Sequence, residues 1–361
     1  MDQRPGCHPR GRGSHVNPPN RFERLHVEPD LDQLAPDDDF RLGPGNPSTE
    51  YIPDDSRSIV TENDSPDVPF RYSLNPYRGC SHGCAYCYAR PTHEYLGFSA
   101  GLDFETKILV KPRAAALFRQ FLSRPGWRPE PIALSGVTDP YQPAEREFQL
   151  TRQCLEVALE ARQPILITTK NALVVRDLDW LRPMAELGLV HVSMSITSLK
   201  PSLIRVMEPR TSAPQARLRA MKQLVEAGVP VCAVVAPVIP GLTDSEIPAI
   251  LAACAEAGVR SADYQLLRLP LSVKPVFLEW LARTHPLQRE RVEALIRSTR
   301  DGQLSCAEFG RRMTGAGALA EQIGQLFRAF ARKHGLDREM PKLDGRRFCG
   351  PRQDQRQLRL F

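Results

Sequence analysis

The sequence has little that would place it in or across a membrane. A transmembrane helix needs about 20 consecutive apolar residues, and no apolar run in this chain of 361 residues approaches that length. The first residues also lack the apolar core of a secretion signal. These absences predict a cytoplasmic protein that has no membrane partner.

The chain also lacks the cysteine pattern of a disulfide-stapled protein. Of its nine cysteines, six are scattered through the sequence at Cys7, Cys154, Cys232, Cys254, Cys306 and Cys349. Without a secretion signal, reduced thiols are the expected state. Cys154 and Cys254 fall in helical patterns and Cys232 in a strand pattern, so we expect all three to pack as core residues.

Charge is distributed unevenly along the chain. Residues 1–69 contain 7 arginines, no lysine and 14 acidic residues, whereas residues 70–361 contain 41 basic and 28 acidic residues. A basic domain is compatible with a polyanionic substrate such as nucleic acid, although many basic enzymes bind none. The composition, 42% hydrophobic and 25% charged, suits one large domain with extensions or two domains.

The pattern of residues divides the chain into three regions. Residues 1–69 are rich in Pro, Asp, Asn and Ser and are expected to form a largely irregular extension. Residues 70–270 alternate between helical patterns and six short apolar segments, which are typical of buried parallel strands. Those segments are residues 72–74, 131–135, 164–169, 190–196, 229–235 and 262–267. Residues 271–361 predict a helical region with a basic tail.

Repeated βα units of this kind predict an α/β fold with a partial (β/α)6 barrel of the TIM type. Gly188, Gly228 and Gly258 each end a helical pattern and precede a strand, and glycine readily adopts the left-handed conformation that stops a helix. Parallel barrels carry their sites at the C-terminal ends of the strands. The segment after the first predicted strand is therefore expected at that edge.

That segment contains Cys80, Cys84 and Cys87 at the spacing Cys-x3-Cys-x2-Cys. Structural zinc and ordinary electron-transfer clusters usually have four protein ligands. Three cysteines can hold a four-iron cluster and leave one iron open for another molecule. The alternatives are a zinc site, with His82 or His93 as fourth ligand, and three free structural thiols.

The cysteine spacing, with aromatic Tyr86 before the last cysteine, resembles the signature of the radical S-adenosylmethionine (radical SAM) superfamily. The resemblance implies a partial barrel of the radical SAM type. It also implies two cofactors, a [4Fe-4S] cluster and S-adenosylmethionine, which the open iron chelates. An electron, delivered by a reducing partner such as flavodoxin or ferredoxin, would then release a 5′-deoxyadenosyl radical that abstracts hydrogen from a substrate.

The resemblance also implies contacts to S-adenosylmethionine near the first and second strands. Tyr86 occupies the aromatic position that lies near the adenine in the superfamily. Thr138 and Asp139 follow the second strand, where the superfamily binds the amino group, and their oxygens are suitable acceptors for an ammonium. Loop packing and an Asp-Pro turn explain the same residues without a ligand.

Three further cofactor-binding candidates follow the third and fourth strands. Lys170 ends the third strand and is placed to pair with the carboxylate of S-adenosylmethionine. Ser195, on the fourth strand, is a candidate for the ribose hydroxyls or the carboxylate, and Arg210 carries a guanidinium fork that matches a carboxylate. Without a ligand, Lys170 is explained as an ordinary exposed lysine. Ser195 is then explained by the alternation of polar and apolar residues in a half-exposed strand.

Further motifs, such as Thr-Asp-Pro-Tyr-Gln-Pro at residues 138–143, resemble one branch of the superfamily. This is the branch of bacterial proteins related to spore photoproduct lyase, also described as DNA repair photolyase-like. By position, the resemblance extends to Tyr88 as a catalytic residue, and to Lys170 and Ser195. It fails at Gly136, where the lyase has a hydrogen-donating cysteine, which argues against true lyase activity.

The expected function is therefore a radical SAM enzyme of unknown substrate, with a nucleic acid or nucleotide favoured. Radical modification of a peptide or metabolite is the main alternative. A non-catalytic zinc or iron–sulfur protein is a more distant one.

Overall fold

The computed structural model describes residues 9–23 and 47–351. Ten strands form two sheets within these residues. In chain order the strands are β1 (Glu50–Pro53), β2 (Val60–Glu62), β3 (Tyr72–Leu74), β4 (Tyr77–Arg78), β5 (Lys107–Val110), β6 (Ile132–Leu134), β7 (Ile165–Thr169), β8 (Val190–Ser195), β9 (Val231–Val238) and β10 (Ser261–Leu266).

The larger sheet has seven strands in the order β10-β9-β8-β7-β6-β3-β2. From β3 to β10 all neighbouring pairs are parallel and follow the chain order, and β2 pairs with β3 in the antiparallel sense. No pairing between its edge strands closes this sheet in the described part of the chain. All six predicted strands are present, so the expected fold class, an open and partial parallel barrel, is confirmed.

Eleven α-helices are present among the described residues, and those between the parallel strands form the crossovers. They are α1 (Asp103–Thr106), α2 (Ala114–Leu122), α3 (Glu145–Phe148), α4 (Leu150–Ala161), α5 (Leu178–Glu186), α6 (Pro201–Met207), α7 (Pro214–Glu226), α8 (Ile247–Glu256), α9 (Val273–Thr284), α10 (Arg289–Ser298) and α11 (Ala318–Lys333). Short 3-10 helices span Arg90–Leu96, Ala172–Asp177, Asp244–Glu246, Pro286–Gln288 and Gly345–Arg347. None of the helices in these residues has the length and apolar character that a membrane crossing requires.

Three of the crossovers end as the sequence predicts. Gly188, Gly228 and Gly258 have φ values of 68°, 79° and 89°. At the second of these ends, the N–H of Gly228 donates to the carbonyl of Val225 at 2.9 Å and the N–H of Val229 donates to Leu224 at 3.0 Å. These bonds satisfy carbonyl groups that the helix leaves without partners, and they direct the chain into the next strand.

The hydrophobic core lies between the sheet and its helices. Cys154 and Cys254 are fully buried there, as expected from their helical patterns, and Cys232 is 9% exposed. Helices α9, α10 and α11 lie in the C-terminal region that the sequence predicts to be helical. Ile323 and Phe327 of α11 pack into the same core.

The smaller sheet corrects one expectation about the cysteine segment. We expected that segment to follow the first barrel strand directly, but β4 intervenes and pairs with β5 in the antiparallel sense. On its other side β5 pairs with β1 in the parallel sense. The cysteine segment therefore starts from a second sheet, which fixes its direction relative to β3.

The N-terminal region is less irregular than its composition predicts. Its residues 50–53 and 60–62 form β1 and β2. Residues 9–23 contain neither helix nor strand, as expected, yet Arg12, Ser14 and Asn20 within them are buried. Residues 1–8 and 24–46, with the acidic run at 37–39, and most of the basic tail, residues 352–361, lie outside the described residues. The predicted division of the chain into three regions stays a prediction.

Candidate functional site

The loop that carries Cys80, Cys84 and Cys87 is held from both ends by main-chain hydrogen bonds. The N–H of Cys80 donates to the carbonyl of Phe104 at 2.9 Å, and the N–H of Ala85 donates to the carbonyl of Met207 at 3.0 Å. Cys80 and Cys84 are buried and Cys87 is partly buried. Because α6 ends at Met207, the second bond ties the loop to the C-terminal side of β8.

A buried ion pair supports the middle of the cysteine loop. Nη2 of Arg90 lies 2.5 Å from Oε1 of Glu105, and neither side chain is exposed. The same guanidinium donates to the carbonyl of Cys84 from Nη2 at 2.8 Å and from Nε at 3.1 Å. Burying this pair is compensated by its hydrogen bonds, and the result is a fixed position for the Cys84 carbonyl.

The N-terminal segment, residues 9–23, packs directly on the cysteine loop. The main-chain N–H groups of Gly13 and Ser14 donate to the Glu105 carboxylate at 3.0 and 2.8 Å. A Cβ atom at Gly13 would lie only 1.8 Å from the carbonyl oxygen of Gly83. This contact was not foreseen, because the segment has no periodic pattern that would mark it as packed.

Thr138 contacts the cysteine loop from the end of β6. Its hydroxyl donates to the carbonyl of Gly79 at 2.7 Å and accepts from Nε2 of Gln142 at 2.8 Å. Oε1 of Gln142 in turn accepts the N–H of Ser81 at 2.9 Å. Thr138 and Gln142 therefore hold the residues on either side of Cys80, and the predicted contact of Thr138 with an amino group stays a prediction.

Asp139 is surrounded by donors from the chain itself. Oδ1 accepts the N–H of Tyr141 at 2.8 Å and the hydroxyl of Thr169 at 2.7 Å, and Oδ2 accepts the N–H of Lys170 at 2.8 Å. Nδ1 of His82 lies 3.4 Å from Oδ2. The predicted role of Asp139 toward an ammonium group stays a prediction. What the structure shows is a carboxylate that ties β7 to the cysteine loop.

His82 and Asp139 shift each other's titration. Burial alone raises the pKa of Asp139, but His82 and the other donors outweigh it and hold the pKa below its ordinary value. Burial lowers the pKa of His82, yet Asp139 and Cys80 raise it overall to about 9. The pair therefore acts as a buried brace between β7 and the loop.

The two histidines considered as further metal ligands occupy different environments. Nε2 of His82 lies 3.2 Å from Nδ2 of Asn171, so both ring nitrogens have partners within the chain. His93 is fully buried between the rings of Phe98 and Phe104, at centroid distances of 5.2 and 5.6 Å. Within residues 9–23 and 47–351, no group of three His, Cys, Asp or Glu side chains is placed to hold a single metal ion.

A buried polar network lies beneath the last part of the loop. The Tyr86 hydroxyl donates to the Glu208 carboxylate and lies 3.3 Å from the Thr197 hydroxyl. Thr197 donates to the same Glu208 oxygen at 2.5 Å, and Arg217 pairs with the other one. Burial raises the pKa of Glu208, but Arg217 and Lys170 reverse this and lower the pKa to about 2, so Glu208 is ionised.

Lys170 and Ser195 lie at this network. Nζ of Lys170 is 5.9 Å from the centre of the Tyr86 ring, a cation–π distance. Ser195, the last residue of β8, is 3% exposed, and its carbonyl accepts from Nη1 of Arg217 at 3.0 Å. The two strand ends and the cysteine loop therefore meet around Tyr86 and Glu208.

Arg210 lies beside the cysteine loop, where its main-chain N–H donates to the carbonyl of His82 at 3.3 Å. It is exposed, and its Nε donates to the carbonyl of Gly11 at 3.1 Å. Its side chain thus contacts the N-terminal segment. The predicted carboxylate clamp stays a prediction.

Tyr88 and Gly136 also lie at the strand-end edge. Tyr88 is 51% exposed, with Cζ of Arg268 at 5.8 Å from its ring centre. Gly136 follows β6 with a φ of 122°, and the atoms nearest to a Cβ there, at 3.7 Å, belong to Ser73. A cysteine at this position would have room but a strained backbone.

Sequence reasoning missed several residues that build the site. They are Gly13, Arg90, Glu105, Gln142, Glu208 and Arg217. A sequence does not distinguish a buried charged residue from an exposed one unless its partner is known, and these partners come from other elements. Some of them carried a signal in the sequence, since Gln142 lies within the motif at residues 138–143 and Glu208 follows the fourth strand, two residues before Arg210.

The donor set fits an iron–sulfur cluster. Three free thiols lie on one short loop, close enough for their charges to interact. Buried thiolates need a compensating positive charge, which metal ligation supplies. Iron–sulfur clusters are held by cysteine thiolates. Because those cysteines bind separate iron atoms, the fit does not require a group of side chains gathered around one ion.

Comparison with known proteins identifies the family. The sequence profile described as the radical SAM superfamily matches residues 74–254. The chain belongs to the radical SAM superfamily. This membership confirms the expected superfamily, the enzyme class and the two cofactors, a [4Fe-4S] cluster and S-adenosylmethionine.

Two proteins described as uncharacterized are also similar to this chain. The uncharacterized protein Rv2578c of Mycobacterium tuberculosis is 42% identical over 232 residues, which cover 64% of this chain and 68% of the relative. The uncharacterized protein MJ0683 of Methanocaldococcus jannaschii is 30% identical over 176 residues, which cover 49% of this chain and 63% of that protein.

Solved structures of spore photoproduct lyase share the fold of this radical SAM protein. The lyase complexed with dinucleoside spore photoproduct is 18% identical, with a TM-score of 0.58 and 79% of each chain covered. A mutant lyase with bound AdoMet and dinucleoside spore photoproduct is 17% identical, with a TM-score of 0.57 and coverage of 79% of this chain and 78% of the other. At these identities the similarity is one of fold.

Proposed function

We propose that this radical SAM enzyme generates a 5′-deoxyadenosyl radical at the cysteine loop and uses it on a nucleic acid or nucleotide. The observation that carries the first part is the position of Cys80, Cys84 and Cys87 on a braced loop at the C-terminal ends of parallel strands. When bound at these cysteines, the cluster would supply the electron for reductive cleavage of S-adenosylmethionine. The three cysteines are the proposed cluster ligands.

The chain's own residues then orient S-adenosylmethionine and keep water out. Lys170 is the proposed cation for its carboxylate, and Ser195 a proposed partner for its ribose or carboxylate. Tyr86 is the proposed contact for the adenine of S-adenosylmethionine, and the ionised Glu208 holds the Tyr86 hydroxyl in place. A radical reacts with any nearby hydrogen donor, so a rigid surround of this kind limits side reactions.

Thr138 and Asp139 are best assigned to supporting the loop. Thr138 bonds to the cysteine loop next to Cys80, and Asp139 bonds to Thr169 and Lys170 at the end of β7. These bonds fix the main-chain positions of Cys80 and Lys170. A contact of either residue with the amino group would add to this role and would use the remaining acceptor capacity of their oxygens.

A nucleic acid or nucleotide is the favoured substrate because of charge and resemblance. Residues 70–361 carry 41 basic and 28 acidic residues, and the sequence motifs resemble the photolyase-like branch. Gly136, in place of a cysteine, argues for a reaction that differs from that of the lyase in how the product radical receives hydrogen. Tyr88, exposed beside the loop, is the proposed catalytic residue for that step.

A reductant is needed for this chemistry, and we propose a flavodoxin or ferredoxin as the physiological partner. A cytoplasmic location stays a prediction.

The experiment is anaerobic reconstitution with iron and sulfide, followed by reaction with S-adenosylmethionine and dithionite. We expect a brown protein that forms 5′-deoxyadenosine. C80A, C84A and C87A should each lose both the cluster absorbance and the product, whereas C154A, which removes a core thiol, should keep both. A full cluster without 5′-deoxyadenosine, or stoichiometric zinc without iron, would overturn the proposal.

A further inference from the structure

Arg268 is a half-buried cation at the strand-end edge of the sheet. It lies two residues beyond the end of β10, and its Nη1 donates to Sδ of Met313 at 3.4 Å. A thioether is a weak acceptor. In the described part of the chain its guanidinium forms no ion pair, since the nearby Asp67 pairs with Arg312 instead.

The neighbours of Arg268 increase the positive charge. Arg312 and Arg300 both interact with it electrostatically, and burial together with Arg312 lowers the pKa of Arg268. Arg300 donates to the carbonyls of Leu267 and Arg311 at 2.8 and 2.9 Å. Its Nε is buried without a hydrogen-bond partner. Among the described residues Arg268 and Arg312 thus face one carboxylate, Asp67, while Arg300 adds a third positive charge beside Arg268. A bound anion would offset this excess of positive charge.

An exposed aromatic ring lies beside this charge. Tyr88 is 51% exposed, and its ring centre is 5.8 Å from Cζ of Arg268. It directly follows Cys87, so the ring and the cation adjoin the proposed cluster loop. A carboxylate metabolite would use only the cation, whereas a nucleotide offers a phosphate for the guanidinium fork and a base for the ring.

We propose that Arg268 and Tyr88 form a nucleotide subsite, where Arg268 binds a phosphate and the ring of Tyr88 stacks on a base of a single-stranded nucleic acid. The subsite rests on the proposed function, because it places that substrate beside the loop that generates the radical. It deepens that function by assigning the substrate class to two named side chains.

The test measures binding of a labelled mixed-sequence single-stranded oligonucleotide to the full-length reconstituted protein, by fluorescence anisotropy over a range of salt. No reductant is added, so binding is measured independently of turnover. R268Q is compared with R219Q, which removes the same charge from an exposed position on α7. Y88A is compared with Y88F, which keeps the ring.

We expect R268Q to weaken binding about tenfold and to reduce the salt slope by about 0.7, the value for one contact to a single-strand phosphate. R219Q should match the wild type. Y88A should bind the oligonucleotide about tenfold or more weakly, because it removes a stacking ring. Y88F keeps the ring and should retain most of the wild-type affinity.

Several results would overturn the subsite. One is an equal loss of oligonucleotide affinity in R268Q and R219Q, and another is an equal loss in Y88A and Y88F. A third is that polyglutamate competes for binding as strongly as unlabelled oligonucleotide does. A failure of the proposed function gives a different result. In that case wild-type protein with a full cluster would bind the oligonucleotide but would form no 5′-deoxyadenosine.

Discussion

Glu208 and Arg217 form an ion pair with almost no solvent exposure, 0% and 1% of their side chains, directly beneath Tyr86. The pair joins the segment after α6 to α7, and its carboxylate also accepts from Tyr86 and Thr197. The position of the residue before Cys87 therefore depends on a charge pair from a different crossover.

Breaking this pair should destabilise the protein strongly. E208Q leaves Arg217 buried without a counter-charge, which costs about 3–5 kcal/mol, and urea unfolding should report a free energy lower by about that amount. The exposed pair Lys222–Glu226 provides the control, because E226Q should change stability by less than about 1 kcal/mol. A double variant E208Q/R217M that is more stable than E208Q would attribute the loss to the unpaired charge; equal losses in E208Q and E226Q would contradict the prediction.

Glu208 should also make stability depend on acid pH. Its pKa in the folded protein is about 2, below the ordinary 4.5, so its contribution is complete above about pH 4.5 and is lost as the pH falls toward 2. The charged groups facing it are Arg217 and Lys170. Unfolding of the cluster-free protein between pH 7 and pH 3 should show a smaller loss of stability in E208Q than in the wild type. Identical pH profiles would argue that Glu208 is not ionised.

Arg90 should control how firmly the cluster is held. R90K keeps the charge but cannot reproduce the fork that binds both Glu105 and the Cys84 carbonyl. We expect less iron per chain after reconstitution and faster bleaching by a chelator. R119K, in the partly exposed pair with Glu160, is the matched substitution and should leave iron content unchanged. Equal bleaching rates in R90K and R119K would contradict a role of Arg90 in holding the cluster.

Gly13 should be intolerant of any side chain. The Cβ of G13A would lie 1.8 Å from the Gly83 carbonyl, so the N-terminal segment must move away from the cysteine loop. We expect faster cleavage of this segment by protease and faster cluster loss to a chelator. G11A is the control in the same segment: Gly11 has a φ of 64°, so an alanine there strains the backbone by about 1 kcal/mol, but nothing lies within 4 Å of its added Cβ. Matching behaviour of the two variants would refute a steric effect.

Much of the fold could be predicted because its signals are local. Apolar strands bounded by helical patterns, and helices closed by Gly188, Gly228 and Gly258, depend on residues near one another in the chain. Parallel strands of this kind then have few allowed arrangements. The N-terminal segment could not be predicted as packed, because its main-chain N–H groups, which carry no sequence signal, make the bonds to Glu105.

The candidate site divides in the same way. The spacing of Cys80, Cys84 and Cys87 is a local property of the chain, and the resemblance that it carries to the radical SAM superfamily implies the cofactor chemistry. Thr138 and Asp139 follow β6, as the sequence predicts, but their partners, Gly79 and Thr169, come from other parts of the chain. The guanidinium of Arg210 can bind a carboxylate, which made it a candidate for the carboxylate of S-adenosylmethionine. In the structure it donates to the carbonyl of Gly11 at the surface.

By itself, the sequence determined the alternation of strands and helices, the edge at which the site lies and the three-thiol loop, since each follows from spacing along the chain. Only the tertiary structure decided which charged residues are buried and with which partners, as for Glu208 with Arg217 and Arg90 with Glu105. It also placed Arg268 beside Tyr88, where the cation forms no ion pair with any described residue. The physical reason is that a charge buried without its counter-charge is strongly destabilising, and folding brings such partners together from distant parts of the chain.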